Sequence, residues 1–252
     1  IAGILGVDDT RLAEFRTWSE GAILGLNPVR TPAETEHMEA SRLALDAYFT
    51  ELMAARRAKP EDDLVSDMVQ LQAEGAPLSD IELRINLLAL LIGGNLTTTD
   101  LIGNGVRLFL LNPAQKAKLV ADPALVPQAV EEILRYEGPV DITGRVLSGE
   151  RAFGGCPMHE GQSVTVALRG ANRDPDVFER PDEFDITRKG IPHMSFGGGA
   201  HICIGAPLAR MEAIAFFSVF FQRFPTLKLV DEPPQWRALP FFRGLERLRV
   251  KT

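Results

Sequence analysis

Apolar residues recur at helical spacing through the first 111 positions, and polar or glycine-proline interruptions cut them into separate helices. Residues 9–22 make a short amphipathic stretch closed by Gly21 and Gly25, and residues 27–31, with Pro28 and then Pro32, read as a turn. The spacing predicts a longer helix over 33–58 with Met38, Leu43, Leu45, Phe49 and Leu52 on its apolar face. It ends in Arg56, Arg57 and Lys59, where basic groups suit the negative end of the helix dipole. A short helix over 62–74 follows, closed by Gly75.

Ser79 with Glu82 three residues on is a capping box, and the pattern then continues unbroken to Leu111, where Asn112-Pro113 stops it. A helix of that length spans roughly 50 Å at about 1.5 Å per residue. The apolar run at 87–92 predicts that it is buried and crosses the domain. Its middle, Gly93-Gly94-Asn95-Leu96-Thr97-Thr98-Thr99, runs against helix propensity. Each glycine costs about 1 kcal/mol relative to alanine, and threonine hydroxyls can bond back to the preceding turn and bend the helix. Either another helix crosses closely there, or a flat ligand lies against the glycines with a threonine hydroxyl reaching into its pocket.

Two further helices are expected, over 113–121 and from Asp122-Pro123 to about Glu137, where Gly138-Pro139 ends the second. Beyond it the period changes to two. Residues 145–147 and 163–168 read as strands, with a hairpin across Gly154-Gly155 between them. Residues 171–195 form a long polar loop with Asn172-Arg173-Asp174-Pro175 and Arg180-Pro181, a length that marks a loop as functional or packed on something. A helix over 207–224 precedes short strands over 227–250. The expected fold is mainly α with small β-sheets, in a single domain over 1–252.

Composition narrows the classes. A net charge of −7 argues against a nucleic-acid partner. The longest apolar run is too short for a bilayer span, and no signal-peptide pattern opens the chain. Two cysteines without regular spacing suggest a reducing, cytoplasmic compartment and no disulfide framework. Cys156, in the hairpin, reads as a small buried hydrophobe.

The chemistry concentrates in residues 196–205, Phe-Gly-Gly-Gly-Ala-His-Ile-Cys-Ile-Gly. Four glycines in ten residues make a tight loop that something flat or bulky can approach. Cys203 precedes a helix, whose dipole favours the thiolate, the setting of a nucleophile or a metal ligand. Glu132 and Arg135 share one face of a helix whose neighbours Val130, Ile133 and Leu134 are apolar, which predicts a buried ion pair.

Together these motifs resemble the haem-thiolate monooxygenases, the cytochrome P-450 family, in its soluble bacterial form. The resemblance rests on Phe196, Gly199, Cys203 and Gly205 in the cysteine loop, and on Glu132 and Arg135 as its Glu-x-x-Arg helix. Gly93-Gly94 with Thr97-Thr98 stand for the oxygen-binding helix, and Pro181 to Phe184 for the Pro-x-x-Phe stretch, all in family order. It implies haem b, with Cys203 as thiolate ligand of the iron. Phe196 would pack on the cysteine face of the ring, backbone N–H groups of the glycine loop that includes Gly197 and Gly205 would hydrogen-bond the sulfur, and Arg145 and His201 would meet the haem propionates. On the other ring face Gly93 and Gly94 leave room for O2, and Thr97 supplies the hydroxyl for proton delivery. Val140, Asp141, Ile142 and Phe242, the last within 239–244, would face a small apolar organic substrate. Electrons would come from NAD(P)H through a ferredoxin reductase and a ferredoxin, with Arg210 a candidate for a basic docking patch.

Two departures qualify this. Leu96 stands where the family carries an acid before its threonine, so water held by Thr97 and Asn95 is expected to substitute. A complete member is also much longer ahead of Ile1, and the chain does not begin with methionine. These imply a C-terminal portion with weak haem retention. The alternatives are a haem-binding electron-transfer or gas-sensing module, and an inactive truncated remnant.

Overall fold

The structure is a computed structural model that describes residues 1–252. The chain folds as two compact units, Ile1–Leu96 and Thr97–Thr252. In the first, α1 (Leu12–Ile23) packs on α2 (Pro32–Ala58), and α2 on α3 (Leu64–Ala73). A capping box starts α2: Thr31 Oγ1 accepts the Glu34 N–H, and the Glu34 carboxylate accepts the Thr31 N–H at 2.7 Å. Phe15, Leu45, Phe49, Met53 and Val65 fill the core. Leu43, expected on the apolar face of α2, is instead exposed, because two residues before Leu45 places it across the helix.

Helix α4 (Asp80–Leu111) is continuous through the glycine-threonine stretch. Its capping box forms as expected, with Ser79 Oγ and Glu82 exchanging bonds. The expectation that its apolar run is buried holds for one face only. Leu83, Leu87 and Leu91, four residues apart, are fully buried, whereas Leu88, Leu90 and Ile92 are half-buried and Ala89 is exposed. The helix is long and apolar enough to cross a bilayer. It places Leu83 and Leu87 in the core of the first unit and Leu101 and Phe109 in the core of the second.

In the second unit α4 is followed by α5 (Pro113–Ala121) and α6 (Val126–Glu137). Strand β1 (Ile142–Val146) pairs antiparallel with β4 (Ser163–Ala167), enclosing the hairpin of β2 (Arg151–Phe153) and β3 (Cys156–Met158) at the predicted Gly154-Gly155 turn. A short α7 (Leu168–Ala171) opens the long loop, and α8 (Ala206–Arg223) follows the cysteine loop. The chain ends in β5 (Lys228–Leu229) with β8 (Val250–Lys251) and β6 (Gln235–Trp236) with β7 (Leu245–Arg247). Helices α6 and α8 pack together, and in the core Phe109 meets Phe184 and Phe221 edge-on while Phe217 stacks on Phe221. Cys156, expected to be buried, is exposed, because its two-stranded hairpin turns both faces outward.

Two adjacent carboxylates on α6 hold the long loop. Glu132 and Arg135 are both fully buried and pair bidentately, Nε to Oε2 at 2.7 Å and Nη2 to Oε1 at 2.8 Å. The remaining donors of Arg135 go to loop carbonyls, those of Asn172, Pro181 and Glu183, at 2.8–3.0 Å. Glu132 also accepts the Asp185 N–H and pairs with Arg188 at 3.3 Å. The loop turns where Arg180 takes a left-handed φ of 49° and offers its carbonyl to Arg188. Its neighbour Glu131 pairs with His193 at 3.0 Å and with Arg210 at 2.7 Å. Burial pushes the Glu131 carboxyl up, but hydrogen bonds from His193 and Arg210 and the Arg210 charge outweigh it and hold it at about 2.

Two predictions follow from these anchors. Glu132→Ala leaves a buried guanidinium unpaired and should cost about 3–5 kcal/mol in urea unfolding, whereas Glu20→Ala at the exposed Arg16 pair should leave the midpoint unchanged. A carboxyl depressed in the folded chain stabilises fully above its ordinary value of 4.5 and loses that contribution as pH falls toward about 2. The stability gap between the wild type and Glu131→Gln should therefore narrow as pH falls below that ordinary value.

Candidate functional site

The cysteine loop is shaped by its own backbone. Gly197 and Gly199 both take φ of 69°, which side chains resist, and a 3-10 turn spans Gly199–His201. The Cys203 N–H donates to the Phe196 carbonyl at 3.0 Å, closing the loop, and the Ala206 N–H donates to the Cys203 carbonyl at 3.2 Å as α8 begins. This leaves the thiol free and exposed at a helix N-terminus, as the sequence predicts. On either side of it Ile202 and Ile204 are uncovered, 60% and 85% exposed. His201 is exposed on the same loop, while Phe196 is half-buried and packs against the core.

Phe196 is held from two sides. The Arg210 guanidinium lies 4.6 Å from its ring centroid and the His193 ring 5.9 Å. Arg210, expected as a docking cation, is thus committed to Glu131 and Phe196. Ser195 fastens the preceding turn: its N–H donates to His193 Nδ1 at 3.2 Å and its hydroxyl to the Leu134 carbonyl at 2.7 Å.

The substrate-facing segments expected at 140–142 and 239–244 come together. Val140 and Phe242 form an antiparallel bridge, and the Asp141 N–H donates to the Phe241 carbonyl at 3.1 Å. Arg243 donates from its backbone to the Pro139 carbonyl and pairs through its side chain with Glu137. Asn104 Nδ2 bonds both the Glu137 and Arg243 carbonyls, tying the pair to α4. One turn earlier, buried Asp100 takes both its oxygens to Arg237 Nη1 at 2.8 Å, and Arg237 Nη2 reaches the Leu245 carbonyl. Burial pushes the Asp100 carboxyl up and the Arg237 charge opposes it. The Asp100 carboxylate occupies the space a Cβ on Gly244 would need, so a glycine is required there. Burial likewise raises the Asp141 carboxyl, against Arg169 and Arg243, and its Oδ1 is buried without a hydrogen-bond partner.

Arg145, on β1, is exposed and donates to two neutral oxygens, Thr143 Oγ1 and the Gly144 carbonyl. Gly93, Gly94 and Asn95 lie on α4 within the first unit, and Thr97 opens the second on the same helix. Around a Cβ placed on Gly93 there is open space, whereas Gly94 has the Ile1 side chain within 3.2 Å.

Three residue sets escape the motif reading: Glu131 with His193 and Arg210, Asp100 with Arg237, and Glu137 with Arg243 and Arg169. Each carried one legible signal, a charge in an apolar helical stretch, which must find a partner. The partner was not legible, because it lies far along the chain.

The donor set decides what metal chemistry fits. No group of three or more His, Cys, Asp or Glu side chains could hold an ion. Cys203 therefore offers a metal one soft ligand, and the metal must bring the remaining ligands with it, as a porphyrin iron does. Uncovered isoleucines beside the thiol and a glycine backbone open to close approach fit a flat apolar group of that kind.

Comparison with known proteins agrees with this fit. The Cytochrome P450 family model matches residues 25–239. Cytochrome P450 107B1 of Saccharopolyspora erythraea is 41% identical over 254 residues, covering 100% of this chain and 61% of its own length. The 6-deoxyerythronolide B hydroxylase of the same organism is 38% identical over 254 residues, covering 100% of this chain and 62% of its own. The crystal structure of P450BioI in complex with a hexadec-9Z-enoic acid ligated acyl carrier protein superposes with a TM-score of 0.92 at 37% identity, covering 100% of this chain and 64% of that one. The chain thus spans under two thirds of the length of these relatives. With the family model matched over most of the chain, the chain belongs to the cytochrome P450 family, whose cofactor is haem b.

Proposed function

We propose that this chain carries the thiolate side of a haem-dependent monooxygenase acting on a small, largely apolar organic substrate. The observation that carries the reading is Cys203: a free, exposed thiol at a helix N-terminus between two uncovered isoleucines. Haem bound there would supply activation of O2 with two electrons from NAD(P)H, delivered through a ferredoxin reductase and a ferredoxin, one oxygen atom entering the substrate and the other leaving as water. Cys203 Sγ would hold the iron as thiolate, favoured by the N-terminus of α8. The Phe196 carbonyl, by accepting the Cys203 N–H, fixes the direction from which the sulfur presents itself. Arg145 and His201 would bind the carboxylates at the rim, since both are exposed and the bonded partners of Arg145 are neutral.

Thr97 Oγ1 would hold the water that delivers a proton, with Asn95 a second polar group two residues earlier on α4. Leu96 is buried and apolar and takes no part in proton transfer. The bridged pair of Val140 and Phe242, with Ile142 and Asp141 beside it, would orient the substrate and exclude water. An apolar substrate is supported by the hexadecenoic acyl group on the relative's carrier protein. The two free thiols fit a cytoplasmic setting.

Two measurements test this. The haem-loaded, reduced and carbon monoxide-treated chain should show a weak thiolate-type haem band, and Cys203→Ala should abolish it; a band that survives the substitution rejects the assignment. With redox partners and a turned-over substrate, Thr97→Ala should lower product per NAD(P)H by roughly tenfold or more, with peroxide appearing in its place. Unchanged coupling would remove Thr97 from proton delivery.

A further inference from the structure

We infer that Glu131 is a positioning residue that holds the cysteine loop in its finished shape before any ligand arrives. Its two carboxylate oxygens feed three bonds outward. Arg210 donates from Nε at 2.7 Å and from Nη2 at 2.9 Å, and His193 Nε2 lies at 3.0 Å. The His193 tautomer is set by its other nitrogen: Nδ1 accepts the Ser195 N–H, so the proton sits on Nε2 and points at Glu131.

Both partners of Glu131 rest on the same ring. The Arg210 guanidinium covers Phe196 and the His193 ring packs against it at a tilt of 51°. Phe196 in turn supplies the carbonyl that accepts the Cys203 N–H. One carboxylate on α6 thereby controls two clamps on Phe196, and through its backbone the sulfur-bearing residue. The His193 side chain is 3% exposed, which shields its bond to Glu131 from competing water, whereas the Arg210 side chain is 37% exposed. The Glu132–Arg135 pair bonds loop positions 172–188 directly and reaches Met194 and Ser195 only through the Asn172 side chain, whereas Glu131 bonds His193 and Arg210 themselves.

The inference deepens the reading of Cys203 as haem ligand and rests on it for its functional meaning, yet the loop geometry can be tested without haem. Hydrogen exchange of individual backbone amides should be followed in the haem-free chain. In Glu131→Gln the Cys203 amide should exchange about tenfold faster or more, while amides of the β1–β4 pair keep their rates. A Cys203 rate within about twofold of the parent overturns the proposal, and so does uniform acceleration of all amides. If Glu131→Gln does not fold, Arg210→Gln decides the matter, because it removes one clamp and keeps the Glu131–His193 bond. Faster exchange confined to the loop supports the proposal and an unchanged rate overturns it. A separate haem titration of the parent keeps the two claims apart. A responsive amide in a chain that takes no haem rejects the ligand reading and leaves the anchor, whereas haem uptake with an unresponsive amide rejects the anchor alone.

Discussion

The fully buried Glu132–Arg135 pair is the interaction on which the second unit depends. Removing two charges from water is costly, and the pair offsets that cost only because the remaining donors and acceptors are used. Arg135 uses them on three loop carbonyls, and Glu132 on the Asp185 amide and Arg188. A loop of some two dozen residues without regular structure would otherwise carry unsatisfied backbone groups across the core. The ion pair replaces the missing secondary structure and so decides where the chain stands when it reaches Phe196.

From that point control passes to smaller devices acting in series. Ser195 ties the turn to the Leu134 carbonyl, Glu131 acts through His193 and Arg210 on Phe196, and two left-handed glycines complete the turn to Cys203. A similar logic governs the bridged segments at 140–142 and 239–244. Asp100 and Arg237, with Asn104 and Glu137 and Arg243, fasten the C-terminal turn to α4 and to the end of α6. Charges placed in an apolar helix thus set the positions of loops.

Much of this was legible in the sequence where the cause is local. The Ser79–Glu82 box, the Gly154-Gly155 hairpin and the helix starting after Cys203 follow from residues a few positions apart. The Glu132–Arg135 pair was legible because both partners sit on one helix turn. Leu43 and the exposed half of the 87–92 run were misjudged because apolar character does not say which face the neighbouring helices cover. Cys156 was misjudged because a two-stranded hairpin has no inside. Asp100 and Arg237 lie 137 positions apart, and Glu131 and Arg210 lie 79 apart, separations at which no spacing rule operates. The thiol ahead of α8, by contrast, is legible for a local reason, since the glycines, Cys203 and the helix start lie within a few positions of one another.

A fold shared with the cytochrome P450 family presents the free thiol of Cys203 at a helix N-terminus. X-ray absorption at the iron edge of the haem-loaded chain tests, without reference to turnover, the proposal that Cys203 binds haem iron. A sulfur scatterer in the first shell, lost in Cys203→Ala, is the predicted result. A first shell of nitrogen and oxygen alone, the same in both proteins, would contradict it.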